Sequence, residues 1–446
     1  MAKMDARAVA LEALLRVEMN KSYSNIVLNK LLQQYQLSGR EASLASALFY
    51  GVLEKRITLD YVISQFSKIK CKKMSNIVLE ILRMGVYQIL FMDKIPDSAA
   101  VNAAVDLSKQ KKAVKASGFI NAVLRNLIRA QDHICWPDPQ QDPLLYWSVL
   151  YSCPLWLVQH FISAYGRNIT EKILVALEAH SPLYIRANTT KGSVVSIEED
   201  LNQLSVKASG VTAVPDALSL TNSGAIEQNF CYQNGLFHVQ DLSSQLCCLL
   251  LAPKSGETIV DVCAAPGGKS FTMAELMENQ GKIYAFDQSP AKVRLIEAGA
   301  ERLGLSIIQA GVRDTQHDLE FAVQADRVLC DAPCSGLGII RRKPEIRYKD
   351  KKFLADFPAL QYEILCNSAR LVKKGGLLFY STCTLNPEEN GAVAERFLRE
   401  HPDYAAAGLD LPKGWRRGIE EPANQWTLFP CLNGPDGFFM AAFRRS

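Results

Sequence analysis

Two short stretches place a cysteine where a thiol could do chemistry: Asp331-Ala332-Pro333-Cys334-Ser335-Gly336 and Ser381-Thr382-Cys383-Thr384. Each ends an apolar run that reads as a strand, RVLCDAP and GLLFYSTC, and each gives way to turn residues instead of further strand. The thiols then open on a crevice, whereas a lone cysteine is more commonly a buried apolar filler. Such thiols suit addition to a pyrimidine. Carbon 5 of cytosine is too weak a nucleophile to take a methyl group directly, but thiolate addition at carbon 6 makes carbon 5 enamine-like. An ordinary thiol, with a pKa of about 8.5, is only slightly ionised at pH 7, so a helix N-terminus or a nearby cation must activate it. A base must then remove the carbon 5 proton before the thiol can leave, and the second cysteine is a candidate for that release. Asp331 could hydrogen-bond ring N3 and the exocyclic amine, offsetting the charge that addition creates.

A second constellation could hold a cofactor. The strand Ile259 to Val262 runs into Cys263-Ala264-Ala265-Pro266-Gly267-Gly268-Lys269, with a helix beginning near Ser270. Small residues let a ligand approach the backbone, and the helix N-terminus offers free N–H groups to a carboxylate such as that of a methionine. The next strand ends in Asp287, where a carboxylate can accept ribose hydroxyls, as in nucleotide and S-adenosylmethionine sites. The loop fits neither G-x-G-x-x-G nor G-x-x-x-x-G-K-[ST], which argues against a dinucleotide or a triphosphate. Between the two cysteines, Arg341 to Lys352 carries seven cations against two acids and one aromatic, a composition suited to RNA phosphate as well as to a solvated face. Asn386-Pro387-Glu388-Glu389-Asn390 reads as a structural helix start.

The elements that must position these residues follow from periodicity. From residue 236 to 446, TIVDVCA, KIYAFD, RVLCDAP and GLLFYSTC alternate with amphipathic helical segments, the pattern of a doubly wound parallel sheet. The terminal run GFFMAAFRR suits an edge strand. Residues 150–235 mix helix-like and strand-like stretches and read as a small α/β subdomain, and residues 1–131 repeat apolar positions at three, four and seven and read as an all-helical domain. Between them, HICWPDPQQDP interrupts every period, which makes 132–149 a linker. The charge divides along the same line: residues 1–131 hold 20 Lys+Arg against 10 Asp+Glu, and the remainder 30 against 36. The helical part is thus the one expected to meet a polyanion. Twelve cysteines lacking C-x-x-C or His/Cys spacing signal no metal site and no disulfide framework, and most are expected to be buried and reduced. No apolar stretch approaches membrane-spanning length, so no membrane partner is expected, the cytoplasm is the expected address, and no obligate protein partner is evident.

In order and spacing, VDVCAAPGGKS, FDQS, DAPCSGLG, STCTLNPEEN and GPDGFF resemble the RNA cytosine-5 methyltransferases that include the Sun and nucleolar proliferation-antigen proteins. REASLASALFYGVLEKRITLD, IPDSAAVNAAVDLSK and GFINAVLRNL resemble the helical RNA-binding domain of the antitermination factor NusB. The resemblance implies an all-α NusB-like domain, a small RNA-recognition-like subdomain and a Rossmann-like class I methyltransferase domain with a seven-stranded sheet. It also implies Cys383 as nucleophile and Cys334 as releasing residue. The cofactor S-adenosylmethionine would lie on Cys263, Ala264, Ala265, Pro266, Gly267, Gly268, Lys269, Asp287 and Asp331. Asp314 would take the adenine side, although the family's Gly-Asp pair is here spread over Gly311-Val312-Arg313-Asp314. The implied substrate is 16S ribosomal RNA. Two other readings compete: a DNA cytosine-5 methyltransferase, whose nucleophile would be Cys334, and a non-catalytic RNA-binding assembly factor.

Overall fold

The computed structural model describes residues 4–20, 24–111, 113–179, 182–315, 321, 323–430 and 434–446. The chain forms two compact units, residues 1–178 with 340–350, and residues 179–339 with 351–446. Among the described residues no helix is long and apolar enough to cross a membrane.

The first unit is helical: α1 (Ala6–Asn20), α2 (Ser24–Gln34), α3 (Gly39–Phe66), α4 (Asn76–Phe91), α5 (Asp97–Gln110), α6 (Ser117–Arg129), α7 (Pro143–Leu150) and α8 (Leu155–Glu178). The apolar positions read from the sequence, Val9, Leu14 and Leu31 among them, are buried together with Leu48, Phe49, Ile81 and Leu124 in one core. The stretch expected as a linker carries the start of α7, where Asp142 caps by accepting the Leu145 N–H at 2.9 Å. Segment 340–350 also packs here and changes the reading of the basic run. Arg347 is fully buried, and its Nη1 donates to the carbonyls of Glu54, Tyr151 and Ser152 at 3.1 to 3.3 Å. The Tyr348 hydroxyl donates to the Leu53 carbonyl at 2.7 Å. These two residues are anchors within the helical unit, which leaves Lys351 and Lys352 as exposed cations of the run.

The second unit opens with β1 (Leu183–Ala187), α9 (Val194–Gln203), β2 (Lys207–Gly210), β3 (Ala217–Thr221), α10 (Phe230–Gln233) and β4 (Phe237–Val239). The strands pair antiparallel in the order β2-β3-β1-β4, a ferredoxin-like β-α-β-β-α-β arrangement. From β1, the buried Arg186 reaches the buried Glu275 at 2.8 Å, fixing this small sheet against the larger domain.

That larger domain contains α11 (Leu242–Leu251), β5 (Thr258–Asp261), α12 (Gly268–Leu276), β6 (Lys282–Asp287), α13 (Pro290–Leu303), β7 (Ile308–Val312), β8 (Ala325–Asp331), α14 (Phe357–Ala369), β9 (Val372–Thr382), α15 (Gly391–Glu400), β10 (Tyr404–Ala406), β11 (Gln425–Leu428) and β12 (Phe438–Arg445). Seven strands lie in the order β10-β12-β9-β8-β5-β6-β7, with β11 added on β12. The strands β9, β8, β5, β6 and β7 run parallel. Side chains of a strand alternate between faces. Accordingly Ile259, Leu329, Phe379 and Met440 join one core, and Val260, Val328, Cys330, Leu378, Tyr380 and Phe439 the other. Double-sided burial is why these strands read as continuous apolar runs. The expectation of an edge strand at GFFMAAFRR is corrected: β12 is interior, bonded to β9, β10 and β11, and Phe438 to Phe443 are buried without a break.

Candidate active site

The C-terminal ends of β5, β6, β8 and β9 deliver the chemistry-bearing residues to one rim, where open α/β sheets bind ligands. Asp331 and Ser381 are register partners on adjacent strands. The Ser381 hydroxyl donates to Asp331 Oδ1 at 2.7 Å, and Lys269 Nζ donates to Asp331 Oδ2 at 2.7 Å. Burial works against the Lys269 charge, and the Asp331 carboxylate more than offsets it, raising the ammonium above its ordinary value. The Asp331 carboxylate is therefore fixed on both oxygens and remains partly open, its side chain 25% exposed.

Three residues beyond Asp331 stands Cys334, and immediately after β9 stands Cys383. Their sulfurs lie 3.1 Å apart, and both residues are partly exposed. The Cys334 thiol is pushed well above its ordinary value, first by its hydrogen bond to Cys383, then by burial and by the negative charges of Cys383 and Glu389. The contact is a hydrogen bond that either thiol can donate. The backbone supports this approach: Gly338 N donates to the Cys383 carbonyl at 3.0 Å, and Gly437 N donates to the Gly338 carbonyl at 2.9 Å. A Cβ at Gly338 would lie 2.0 Å from the Gly437 carbonyl oxygen, so only glycine permits the packing.

The two turns are also tied through Glu389. Its fully buried carboxylate accepts the Ser335 N–H (2.9 Å), the Ser335 hydroxyl (2.5 Å), Gln361 Nε2 (2.9 Å) and Asn386 Nδ2 (3.0 Å). The Ser335 and Thr384 hydroxyls lie 2.7 Å apart. Sequence reading took Asn386 to Asn390 as a helix start with acids in its first turn. The structure has a 3-10 turn at Pro387–Glu389 that leads directly into α15 at Gly391, with Glu389 turned inward.

The loop expected to hold a cofactor follows β5. Gly267 takes φ +111°, where a Cβ would strike the Phe271 ring at 2.3 Å, and α12 begins at Gly268 with its N–H groups facing the rim. Asp287 ends β6, nearly buried, and accepts the Ser289 N–H at 2.9 Å. Arg313 N donates to the Asp287 carbonyl at 3.1 Å, and the Thr315 hydroxyl donates to the Val262 carbonyl at 3.2 Å. Asp314, half-buried between those anchors, therefore stands at the ends of β5 and β6. Sequence reading missed Asp261, buried at the end of β5 with its Oδ2 accepting the Ser270 hydroxyl at 2.7 Å. Burial, with Asp331 nearby, raises its carboxyl to about 7, the Ser270 hydrogen bond offsetting part of the effect.

Stability carries the signature of that buried acid. The unfolded chain loses the proton near pH 3.9 or so (about 3.9 for a free Asp), so between about pH 4 and 7 the folded state binds more protons and its stability falls as pH rises. The urea midpoint of the ligand-free wild type should decline relative to Asp261→Asn across this window; parallel curves would refute a buried protonated Asp261.

Eleven described cysteines are free thiols; Cys153, Cys231, Cys247, Cys248 and Cys330 are the buried fillers, and Cys431 lies outside the described residues.

Residues 248–444 match the family described as 16S rRNA methyltransferase RsmB/F, residues 4–129 the NusB family, and residues 153–227 the ferredoxin-like domain of RsmF/B-like methyltransferases. The probable ribosomal RNA small subunit methyltransferase B of Bacillus subtilis (strain 168) is 37% identical, with 100% of each chain covered. The chain belongs to the 16S rRNA methyltransferase RsmB/F family. Its Pasteurella multocida relative, named ribosomal RNA small subunit methyltransferase B, is 30% identical over 99% of this chain and 96% of its own. A solved structure named PH0851 superposes with a TM-score of 0.83 at 27% identity, covering 99% of both chains. The chain is an rRNA methyltransferase with a NusB domain at its N-terminus. Non-catalytic and DNA-directed readings fall with that membership.

Proposed function

We propose that the chain transfers a methyl group from S-adenosylmethionine to carbon 5 of a cytosine in 16S ribosomal RNA, with Cys383 as nucleophile and Cys334 as the releasing residue. The observation that carries this reading is the convergence of both thiols and the Lys269–Asp331 pair on the rim beside the 263–269 loop. The donor set fits the cofactor. N–H groups at the start of α12 suit its methionine carboxylate, Asp287 its ribose hydroxyls and Asp314 its adenine side. Bound there, S-adenosylmethionine supplies an electrophilic methyl group.

The residues of the chain do the rest. Cys383 Sγ, as the thiolate, bonds carbon 6 of the base while the carbon 5–carbon 6 π pair moves toward N3; Asp331, aligned by Ser381 and Lys269, accepts from the exocyclic amine, and the Lys269 ammonium paired with it offsets the developing charge. Carbon 5 returns that pair to form the new bond to the methyl carbon as the methyl–sulfur bond of the cofactor breaks and the sulfur keeps its bonding pair. Once Cys383 is bonded to carbon, its hydrogen bond with Cys334 and its negative charge, two of the causes that raise the Cys334 thiol, are gone. Cys334 can then ionise and take the proton from carbon 5, the electrons closing the double bond as the sulfur–carbon 6 bond breaks. Cys383 leaves as the thiolate that attacked, Cys334 keeps the proton taken from carbon 5, and the single proton lost overall is the one that Cys334 gave to solvent on ionising.

Incubation with protein-free 16S ribosomal RNA and S-adenosylmethionine should yield 5-methylcytidine by nucleoside mass spectrometry; a methyl group found on any other base position would refute the proposal. In the helical unit, Lys68 and Arg129 line one shallow cleft, and Arg125, Lys70, Lys72 and Lys73 are exposed nearby in sequence. Reversing Lys68 and Arg129 to Glu should weaken RNA binding and lower the slope of log K against log salt by about 0.7 to 0.9 per lost phosphate contact. An unchanged slope would exclude the cleft as an RNA surface.

A further inference from the structure

We propose that Glu389 is a positioning residue of the two-cysteine site: its buried carboxylate clamps the turn after Cys334 to the turn after Cys383 and so sets the two sulfurs against each other. The inference rests on the cysteine roles proposed above. Glu389 carries no exposed surface, lies six residues past Cys383, and hydrogen-bonds to Ser335, Gln361 and Asn386 instead of to either thiol. What it touches is informative. Both bonds from Ser335 come from the residue next to Cys334, whereas Asn386 belongs to the turn that Cys383 opens. Gln361 Nε2 completes the clamp, since it donates to Glu389 Oε2 and also to the Pro333 carbonyl, on the other side of Cys334, at 2.9 Å each. Cys334 is thereby held on both flanks by a single carboxylate and its amide neighbour.

The clamp is specific to an acceptor-only group. A carboxylate offers two oxygens and no donor, and here each oxygen takes two donors. Gln361 and Asn386 both turn their NH2 groups to Glu389 and leave their own buried carbonyl oxygens without a hydrogen-bond partner. A site built only to satisfy buried polar atoms would not orient two amides that way. The backbone locks the carboxylate in turn: the Tyr380 hydroxyl donates to the Glu389 carbonyl at 2.6 Å, and Asn390 bridges the Thr382 hydroxyl (2.6 Å) and the Thr384 carbonyl (3.0 Å), the two residues flanking Cys383. The negative charge also adds to the causes that keep Cys334 protonated.

Glu389→Gln puts an NH2 where two donors already point, whereas Glu389→Asp keeps an acceptor-only group on a shorter arm. In single-turnover methylation of 16S ribosomal RNA, the Gln variant should lose about 100-fold in rate, with the RNA KM and the cofactor Kd within about threefold of wild type, because sub-ångström displacement of reacting groups costs rate before binding. The Asp variant should recover about 10-fold of that loss. The readout that a merely structural role would not move is thiol selectivity. Iodoacetamide at neutral pH, followed by peptide mass spectrometry, should alkylate Cys383 ahead of Cys334 in wild type, and that preference should fall by about fivefold or more in Glu389→Gln. Unchanged selectivity, a rate within threefold of wild type, or an Asp variant no better than Gln would each overturn the proposal. Cys383→Ala in the same assay keeps the two readings distinguishable: its loss of methylation upholds the cysteine roles even where the Glu389 variants behave as wild type. Should Glu389→Gln fail to fold, Ser335→Ala removes one arm of the clamp, and full activity with wild-type selectivity in that variant overturns the proposal equally.

Discussion

Cys383→Ala should reduce 5-methylcytosine formation by about 10⁴- to 10⁶-fold, the range seen when a covalent nucleophile is removed, while cofactor affinity stays near that of wild type. The loss is expected to be this large because no neighbouring group can substitute. Cys334 stands 3.1 Å away, but on the turn after β8, so its sulfur does not take the place that Cys383 holds at the end of β9. Quench-flow with labelled cofactor measures the rate, and calorimetry measures the affinity. A residual rate within about 100-fold of wild type would mean that carbon 6 is attacked by another group or not at all.

Asp331→Asn should lower the single-turnover rate by about 10²- to 10³-fold, the size of effect seen when one preorganised polar contact to the reacting base is lost. Geometry is preserved in this variant, since Asn is isosteric, yet one of its two terminal atoms becomes a donor. Either Lys269 Nζ or the Ser381 hydroxyl then faces an NH2 group at about the position where it now has an acceptor. An ammonium only 13% exposed and left without its carboxylate is costly, so Lys269→Met should rescue folding of Asp331→Asn without rescuing its rate. If Asp331→Asn instead raises the RNA KM and leaves the rate constant alone, the residue binds the base in the ground state only.

How far the sequence leads can be judged residue by residue. The parallel sheet was legible because β5, β6, β8 and β9 are buried on both faces and so read as unbroken apolar runs, with the small-residue loop and the two cysteine turns at their ends. Alternation alone could not place β12. An interior antiparallel strand and a covered edge strand share one pattern, and only the pairing with β9, β10 and β11 separates them. Cys334 and Cys383 could be singled out by their turn context, but the 3.1 Å between their sulfurs depends on Gly338, which bonds Cys383 far along the chain, and on Gly437, farther still from Gly338, and no local rule reports such an approach. Glu389 escaped for a different reason. Acids near a proline normally signal a solvated helix start, and whether a carboxylate turns in or out is decided by the donors waiting for it, here Ser335, Gln361 and Asn386. Arg347 is the mirror case, a cation in a basic run that carbonyls of α3 and of the α7–α8 connection draw inward.

The most direct test of the two-cysteine account is adduct mapping in Cys334→Ala. With 16S ribosomal RNA and S-adenosylmethionine, this variant should accumulate a denaturant-resistant protein–RNA adduct, because the base can be attacked and methylated but not released. Digestion and mass spectrometry should locate the linkage on Cys383, and the adduct should vanish in the Cys383→Ala, Cys334→Ala double variant. An adduct that forms through Cys334 in Cys383→Ala, or one that never accumulates in Cys334→Ala, would contradict the assignment of the nucleophile and the releasing residue.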